Sequence, residues 1–397
     1  MPPTPDTDIA FHPFADGGAL HRIGSHRLWV LNVTAATLWC LLDGRRDVRE
    51  LAGAYRRRFG IDDAAARQDV DLLLGRFSEG GLLKGNAPAD DRITGGARPL
   101  KPLEMFHRLD ADTNGLPQMA FSLAGRCFVL TAEENLSEVW RPIFRHLAVE
   151  RSLEDACTEW ALIRKENGGD APYFCREANG RAEGGLARQE VAPYLVYKLF
   201  DSCMAALDNR LLFHAAVAAR GGRALLLPAQ SGSGKSTLAA ALSASGWTCL
   251  SDELAVVDPE SLAVEPFALP IGLKDKSMTA LAQFIPGVAD LPRHTRMDGI
   301  GVRYLPPPNP PGATPLPVAA LVFPRYRRDI TAALTPQPPL EALRLLAETG
   351  SSARPLVARD VRAMLQLASL PSYTLTFSEL DKALEQLESI DSGFFGI

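Results

Sequence analysis

No stretch of this chain stays apolar long enough to cross a bilayer. Its first residues, Met1-Pro-Pro-Thr-Pro-Asp6, have neither the basic nor the apolar region of a secretion signal. Cysteine is sparse. Cys40, Cys127, Cys157, Cys175, Cys203 and Cys249 are scattered, with no Cys-x-x-Cys and no histidine at ligand spacing. That argues against structural zinc, and the six read as reduced thiols of a cytoplasmic protein, mostly core filler. Charge of one sign is also missing: 42 Lys and Arg stand against 47 Asp and Glu, for a net charge of −5. This gives no global reason to expect nucleic acid or an anionic membrane as partner. What is present is an ordinary globular composition, 46% hydrophobic and 22% charged, over 397 residues, enough for two or three domains.

The most informative stretch is Ala229-Gln-Ser-Gly-Ser-Gly-Lys-Ser-Thr237. An apolar run, Ala224–Pro228, precedes it and a helix-like run, Leu238–Ser245, follows. Strand, glycine-rich loop and helix make the context of a phosphate-binding P-loop. Gly232 and Gly234 allow a tight turn and a close approach of backbone to ligand. The loop N–H groups and the helix N-terminus favour an anion. Lys235 brings a mobile cation for the outer phosphates, and Ser236 a hydroxyl where Mg²⁺ would sit. The expected nucleotide contacts are Ser231, Gly232, Ser233, Gly234, Lys235, Ser236 and Thr237. Ala229 stands where such motifs usually begin with glycine, a mild change at a turn-starting position.

Residues 1–18 read as a polar, proline-bearing tail. Ala19–Ile23 and Arg27–Leu31 alternate around Gly24-Ser25 and predict a hairpin. Three helices follow. The first opens at Asn32, the second at the capping-box pattern Asp47–Glu50, and the third near Asp62, with Val70, Leu73, Leu74 and Phe77 on one face. Hairpin plus three short helices predicts a winged-helix-like α+β module over 19–85. Here the sequence resembles the PqqD family of peptide-recognition domains, through Asn32-Val-Thr-Ala-Ala-Thr-Leu-Trp39, the Asp43-Gly44 turn and the Gly81-Leu-Leu83 ending. The resemblance implies that a leader peptide adds as a strand beside the hairpin and against the third helix. The residues concerned would be Arg27, Leu28, Trp29, Val30 and Leu31 together with Arg67 and Asp71. A DNA-binding winged helix is the competing reading. Eleven Lys/Arg against nine Asp/Glu between Asp16 and Gly85 form no clear basic face, so peptide is favoured.

Residues 86–104 read as a linker. Over 105–200 the pattern predicts a strand pair at Gln118–Leu123 and Arg126–Leu130, and helices at Asn135–Leu147 and Val191–Leu207. It offers no chemistry there. Leu211–Ala219 and Ala224–Pro228 predict a hairpin before the glycine-rich loop. Trp247–Leu250 predicts a short strand ending in Ser251-Asp252-Glu253. An acidic pair at a strand end, 17 residues after Lys235, is placed to supply a base or hold a metal.

Together, Phe213–Asp258 resembles the HPr kinase/phosphorylase group, most closely the HPr-kinase-related proteins of peptide-modifying systems. The resemblance implies an α/β P-loop kinase core of the HPr kinase and phosphoenolpyruvate carboxykinase type, expected over 105–397. Residue by residue, it implies a phosphate role for Lys235 and a Mg²⁺ role for Ser236. Asp252 would be the base toward the acceptor serine and Glu253 a second acid, also a metal candidate. His214 would lie near the active site and Lys274 would make an extra phosphate contact. Gly299-Ile-Gly301 with Arg303 only loosely resembles the signature of the bifunctional members, which puts phosphorylase activity in doubt.

The expectation is therefore an ATP- and Mg²⁺-dependent kinase acting on a serine, or a threonine, of a precursor peptide or small protein. The N-terminal domain would hold the leader. Nucleic acid and membrane are not expected as partners, and homo-oligomerisation is left open. The alternatives are a small-molecule or sugar kinase, and a nucleotide-switched regulator that binds peptide or DNA and transfers nothing.

Overall fold

The computed structural model describes residues 2–14, 16–86, 102–109, 111–150, 156–165, 169–350 and 354–394. The chain forms two compact units. One comprises Met1–Gly95 and Pro336–Tyr373, the other Gly96–Thr335 and Thr374–Ile397. Most of the 86–104 linker expected from sequence lies outside the described residues.

The first unit begins with β1 (Ile9–Phe14), β2 (Gly17–Arg22) and β3 (Leu28–Asn32), an antiparallel sheet in that order. The α1 (Val33–Leu41), α2 (Val48–Phe59) and α3 (Asp63–Glu79) helices follow. Each is capped by an acceptor side chain read in the sequence: Asn32, Asp47 and Asp62 receive the N–H groups of Ala35, Glu50 and Ala65. Asp47 and Glu50 form the reciprocal capping box. Leu20, Leu38, Leu51, Tyr55, Val70 and Phe77 close the core between these helices and the sheet.

The polar tail expected over 1–18 is a correction. Ile9 and Phe11 of β1 pack on this core, Pro5 bridges Leu83, and Asp6 N–H donates to the Leu82 carbonyl at 2.9 Å. Alternation of Ile9 and Phe11 was the available signal, hidden among aspartates and prolines.

The second unit opens with β4 (Glu104–Phe106), β5 (Gln118–Leu123), β6 (Arg126–Ala132), α4 (Glu134–Phe144), β7 (Cys157–Arg164), β8 (Tyr173–Glu177), β9 (Ala182–Leu186) and α5 (Val191–Met204). Its strands form one sheet in the order β4-β9-β8-β7-β6-β5. Trp140, Phe144, Trp160, Tyr194 and Leu199 pack that sheet against α4 and α5. Cys127 and Cys157 face each other on the parallel pair β6–β7 and are disulfide-bonded. This corrects the reading of all six cysteines as reduced: thirty residues separate the two, and only strand register brings them together. Cys175, Cys203 and Cys249 are buried free thiols, and burial pushes the first two up to about 12.

Next come β10 (Leu211–Arg220), β11 (Arg223–Pro228), α6 (Lys235–Ala244), β12 (Thr248–Ser251), β13 (Leu254–Val257), β14 (Ala263–Glu265), β15 (Ile271–Lys274), α7 (Met278–Leu281), β16 (Arg293–Thr295), β17 (Gly301–Leu305), β18 (Leu316–Tyr326) and β19 (Ala333–Pro336). After these the chain makes α8 (Pro339–Ala347), α9 (Ala358–Ala368), β20 (Ser372–Phe377) and α10 (Leu380–Phe394). The principal sheet runs β11-β10-β13-β14-β18-β20-β19, with β12 also on β10. A parallel pairing of β11 with β18 closes five of these strands into a ring. A small sheet, β15-β17-β16, stands apart from it.

The α8 and α9 helices group with the N-terminal residues, so the domain expected over 105–397 is interrupted. α8 packs against β3 and against α9. Leu356 N–H donates to the Ser25 carbonyl at 3.0 Å, and Leu340 N–H to Asp16 Oδ2 at 3.2 Å. His21, 1% exposed, lies near Asp360. A fragment ending at residue 95 should therefore lose protection of the Ala19–His21 amides in hydrogen exchange. The same fragment joined to 336–373 should recover it. Equal protection in both would show the helices to be dispensable.

Candidate functional site

Two places bring the residues singled out above together, one in each unit. In the second unit a cavity of about 790 Å³ is lined by the glycine-rich loop, the strand end at Asp252-Glu253 and His214. The loop joins β11 to α6 as the sequence indicated. Gly232 and Gly234 have φ of 94° and 90°, a region costly for residues with a Cβ. A Cβ on Gly234 would also meet the Phe377 ring at 3.0 Å and the Tyr326 Cβ at 3.3 Å.

Lys235 starts α6 and is 5% exposed, yet its ammonium has no hydrogen-bond partner. The Ser233 hydroxyl and Asp252 Oδ1 are likewise buried without partners. Buried polar atoms are rarely left so; the Lys235 ammonium and the Ser233 hydroxyl can serve an anion held by the glycine-rich loop, whereas the Asp252 oxygen calls for a proton, a donor or a cation. Ser231 and Ser236 line the cavity, while the Thr237 hydroxyl is engaged with Ser277 Oγ at 2.8 Å.

Burial pushes the Asp252 carboxyl up to about 6, although the Lys235 charge and nearby Ser236 oppose this. Its Oδ2 accepts the Gly272 N–H at 3.2 Å. Glu253 behaves oppositely. Enclosure by the cavity would raise it, but its hydrogen bond with His214 and the Lys235 charge hold it down at about 2. His214 Nε2 lies 3.2 Å from Glu253 Oε1. The backbone explains the meeting: His214 is opposite Leu254 in the β10–β13 pair, and its carbonyl receives the Ala229 N–H at 3.2 Å.

Among the described residues no three His, Cys, Asp or Glu side chains converge on a metal position. A Mg²⁺ shared among a hydroxyl, one carboxylate and phosphate oxygens needs no such cluster. Ser236 lies beside Asp252, whereas Glu253 is engaged with His214. The donor set thus fits Mg²⁺ at Ser236 and Asp252 better than at Ser236 and Glu253.

Lys274 also lines the cavity, its pKa lowered by burial and by Arg296 and Lys276. Arg303 is held elsewhere, 2.9 Å from Asp275. Sequence reading missed Arg296 and Met297, the aromatics Tyr326 and Phe377, and the wall formed by Pro193, Val196, Tyr197 and Phe200 of α5. Only the α5 stripe left a trace, as helical spacing in a segment read without chemistry.

In the first unit, β3 is an edge strand: among the described residues only β2 pairs with it. The opposite edge, β1, carries Pro13, which cannot donate to an added strand. β3 carries no proline and is the better receiver. Leu28, Trp29, Val30 and Leu31 lie on it, and Arg27 just before. Trp29 meets the end of α3, its Nε1 3.3 Å from a Cβ built on Gly80. Counting back by four gives Arg76 and Leu72, the latter 55% exposed. Arg67 and Asp71, also exposed, fall on a different side of α3 at about 100° per residue.

No curated protein matches this chain. Among solved structures, the chain is similar to one titled "TbiB1 in Complex with the TbiA(beta) Leader Peptide", at 18% identity over 21% of this chain and 98% of that one, with a TM-score of 0.20. No helix among the described residues is long and apolar enough to cross a membrane. Residues 18–83 match the family model for coenzyme PQQ synthesis protein D, PqqD, and they form a PqqD-like domain.

Proposed function

We propose that this chain is a kinase that uses ATP and Mg²⁺ to phosphorylate a serine, or a threonine, of a ribosomally made precursor peptide. Its PqqD-like domain captures that peptide's leader. The observation that carries the kinase reading is the buried, unpartnered Lys235 ammonium, set between a glycine-rich loop and a carboxylate held near pH 6. Its ammonium lacks a hydrogen-bond acceptor, which a phosphate oxygen would supply. The loop N–H groups and Lys235 would hold the phosphates, and Ser236, together with phosphate oxygens, the Mg²⁺. Bound ATP supplies the phosphoryl group and the metal the charge neutralisation it needs.

The chain's residues do the rest. Asp252 accepts the proton of the acceptor hydroxyl as its oxygen bonds to phosphorus, and ADP departs with the broken bond's electrons. A carboxyl near 6 is ionised at neutral pH and still basic enough to assist. The His214–Glu253 pair supports a second assignment. It faces the same cavity, and the hydroxyl could give its proton there while Asp252 serves the metal. Leader capture rests on the PqqD match and the open β3 edge, where added backbone would satisfy unpaired N–H and C=O groups.

The test is initial rate against peptide concentration, with mass spectrometry of the product, for precursor peptides with and without leader. The leader should lower KM about tenfold or more with little change in kcat, because it supplies binding rather than chemistry. Identical curves would refute leader capture. Phosphate transfer to sugars but not to peptides would favour the small-molecule alternative, and nucleotide binding without transfer the regulator.

A further inference from the structure

Tyr326, Arg328, Phe377 and Ser378 also line the cavity, with Tyr326 and Phe377 set against Gly234 of the glycine-rich loop. Tyr326 is a large aromatic residue left 48% exposed in the wall of a concave site. Phe377 meets it edge-on, with ring centroids 5.9 Å apart and planes at 75°. The pair is built into the loop. Tyr326 N–H donates to the Ser233 carbonyl at 3.0 Å, and Arg327 N–H to the Phe377 carbonyl at 2.9 Å. Gly234 leaves no space between the loop and these two side chains.

The topology gives the reason. β18 runs parallel to β11, so Tyr326 at the end of β18 comes up beside the loop that follows β11.

We infer that Tyr326, backed by Phe377, is the platform on which the base of a purine nucleoside triphosphate stacks, while the loop and Lys235 hold its phosphates. This rests on the nucleotide reading above and adds what that reading lacks, a site for the base. The phosphate end is fixed by Lys235, and the end toward Asp252 must stay open for an acceptor. Beside the loop stands the exposed ring of Tyr326, and a base offers the ring a flat π-face. Stacking of this kind tolerates different bases and favours the larger ones, so purines bind better than pyrimidines.

The experiment is calorimetric titration of the full chain and of Tyr326→Ala and Tyr326→Phe with ATP, CTP and inorganic triphosphate, all with Mg²⁺. Tyr326→Ala should weaken ATP about tenfold or more, the scale of one aromatic stacking contact. It should leave inorganic triphosphate unchanged and reduce the preference for ATP over CTP. Tyr326→Phe should keep ATP affinity within about threefold, since the ring remains. Unchanged ATP affinity in Tyr326→Ala would overturn the proposal. So would equal losses for ATP and inorganic triphosphate, which would mark a disturbed loop. If wild-type protein binds neither ATP nor inorganic triphosphate, the nucleotide reading itself fails and the platform with it. Binding of inorganic triphosphate with no added affinity for ATP overturns the platform alone.

Discussion

Lys235→Ala abolishes phosphate transfer and weakens ATP by about 30-fold or more. Truncating one member of a buried charged contact costs about 2–5 kcal/mol, and 1.4 kcal/mol is a factor of about ten in affinity. The loss at the rate is larger than the loss in binding for a reason specific to this site. The Lys235 charge is the main influence opposing the rise of Asp252 above the usual carboxylate range. With the ammonium gone, Asp252 moves higher still, protonates near neutral pH and no longer accepts a proton. Lys235→Ala should therefore shift the low-pH limb of any residual activity upward. Calorimetric titration with ATP and a peptide phosphorylation assay across pH 5–9 measure both effects. Wild-type turnover by the variant would end the kinase reading.

Asp252→Asn lowers peptide phosphorylation by about 10²–10⁴, the usual contribution of a general base, while ATP affinity stays within a few-fold. The amide keeps the shape and the Gly272 hydrogen-bond acceptor but cannot take the hydroxyl proton. The sign of the pH effect follows from the direction of the shift. Asp252 is raised to about 6, so the wild-type rate is low below that pH and rises to a plateau above it. That limb is absent from Asp252→Asn. If ATP binding with Mg²⁺ collapses instead, Asp252 serves the metal beside Ser236. The base is then the His214–Glu253 pair, and Glu253→Gln should carry the rate loss.

The sequence made these two experiments legible because loop and acidic pair are local. The glycines, lysine and serine sit on consecutive residues, and Asp252 ends the strand after the next helix. Capping boxes and the alternating hairpin are local as well, and the first-unit helices start where their caps predicted. What stayed hidden depends on register between distant segments. Nothing around Cys127 or Cys157 signals a partner, since β6 and β7 become neighbours only when the sheet forms. Tyr326 lies 92 residues beyond Gly234, and a parallel strand pairing brings it to the loop. Ile9 and Phe11 read as tail residues because two apolar side chains among aspartates and prolines are too few to establish a period.

The grouping of 336–373 with residues near the N-terminus has a consequence for how the protein is made. Some 240 residues separate the two segments of the first unit. At the about 5–20 residues per second of translation, the sheet waits tens of seconds before α8 and α9 leave the ribosome. Throughout that interval the nascent β1–β3 sheet carries Ala19 and His21 on an uncovered face. Chaperone occupancy of the nascent chain should thus persist until about residue 373 has emerged, rather than fall once the three-helix core is complete. Ribosome profiling of chaperone-bound chains would read the timing directly.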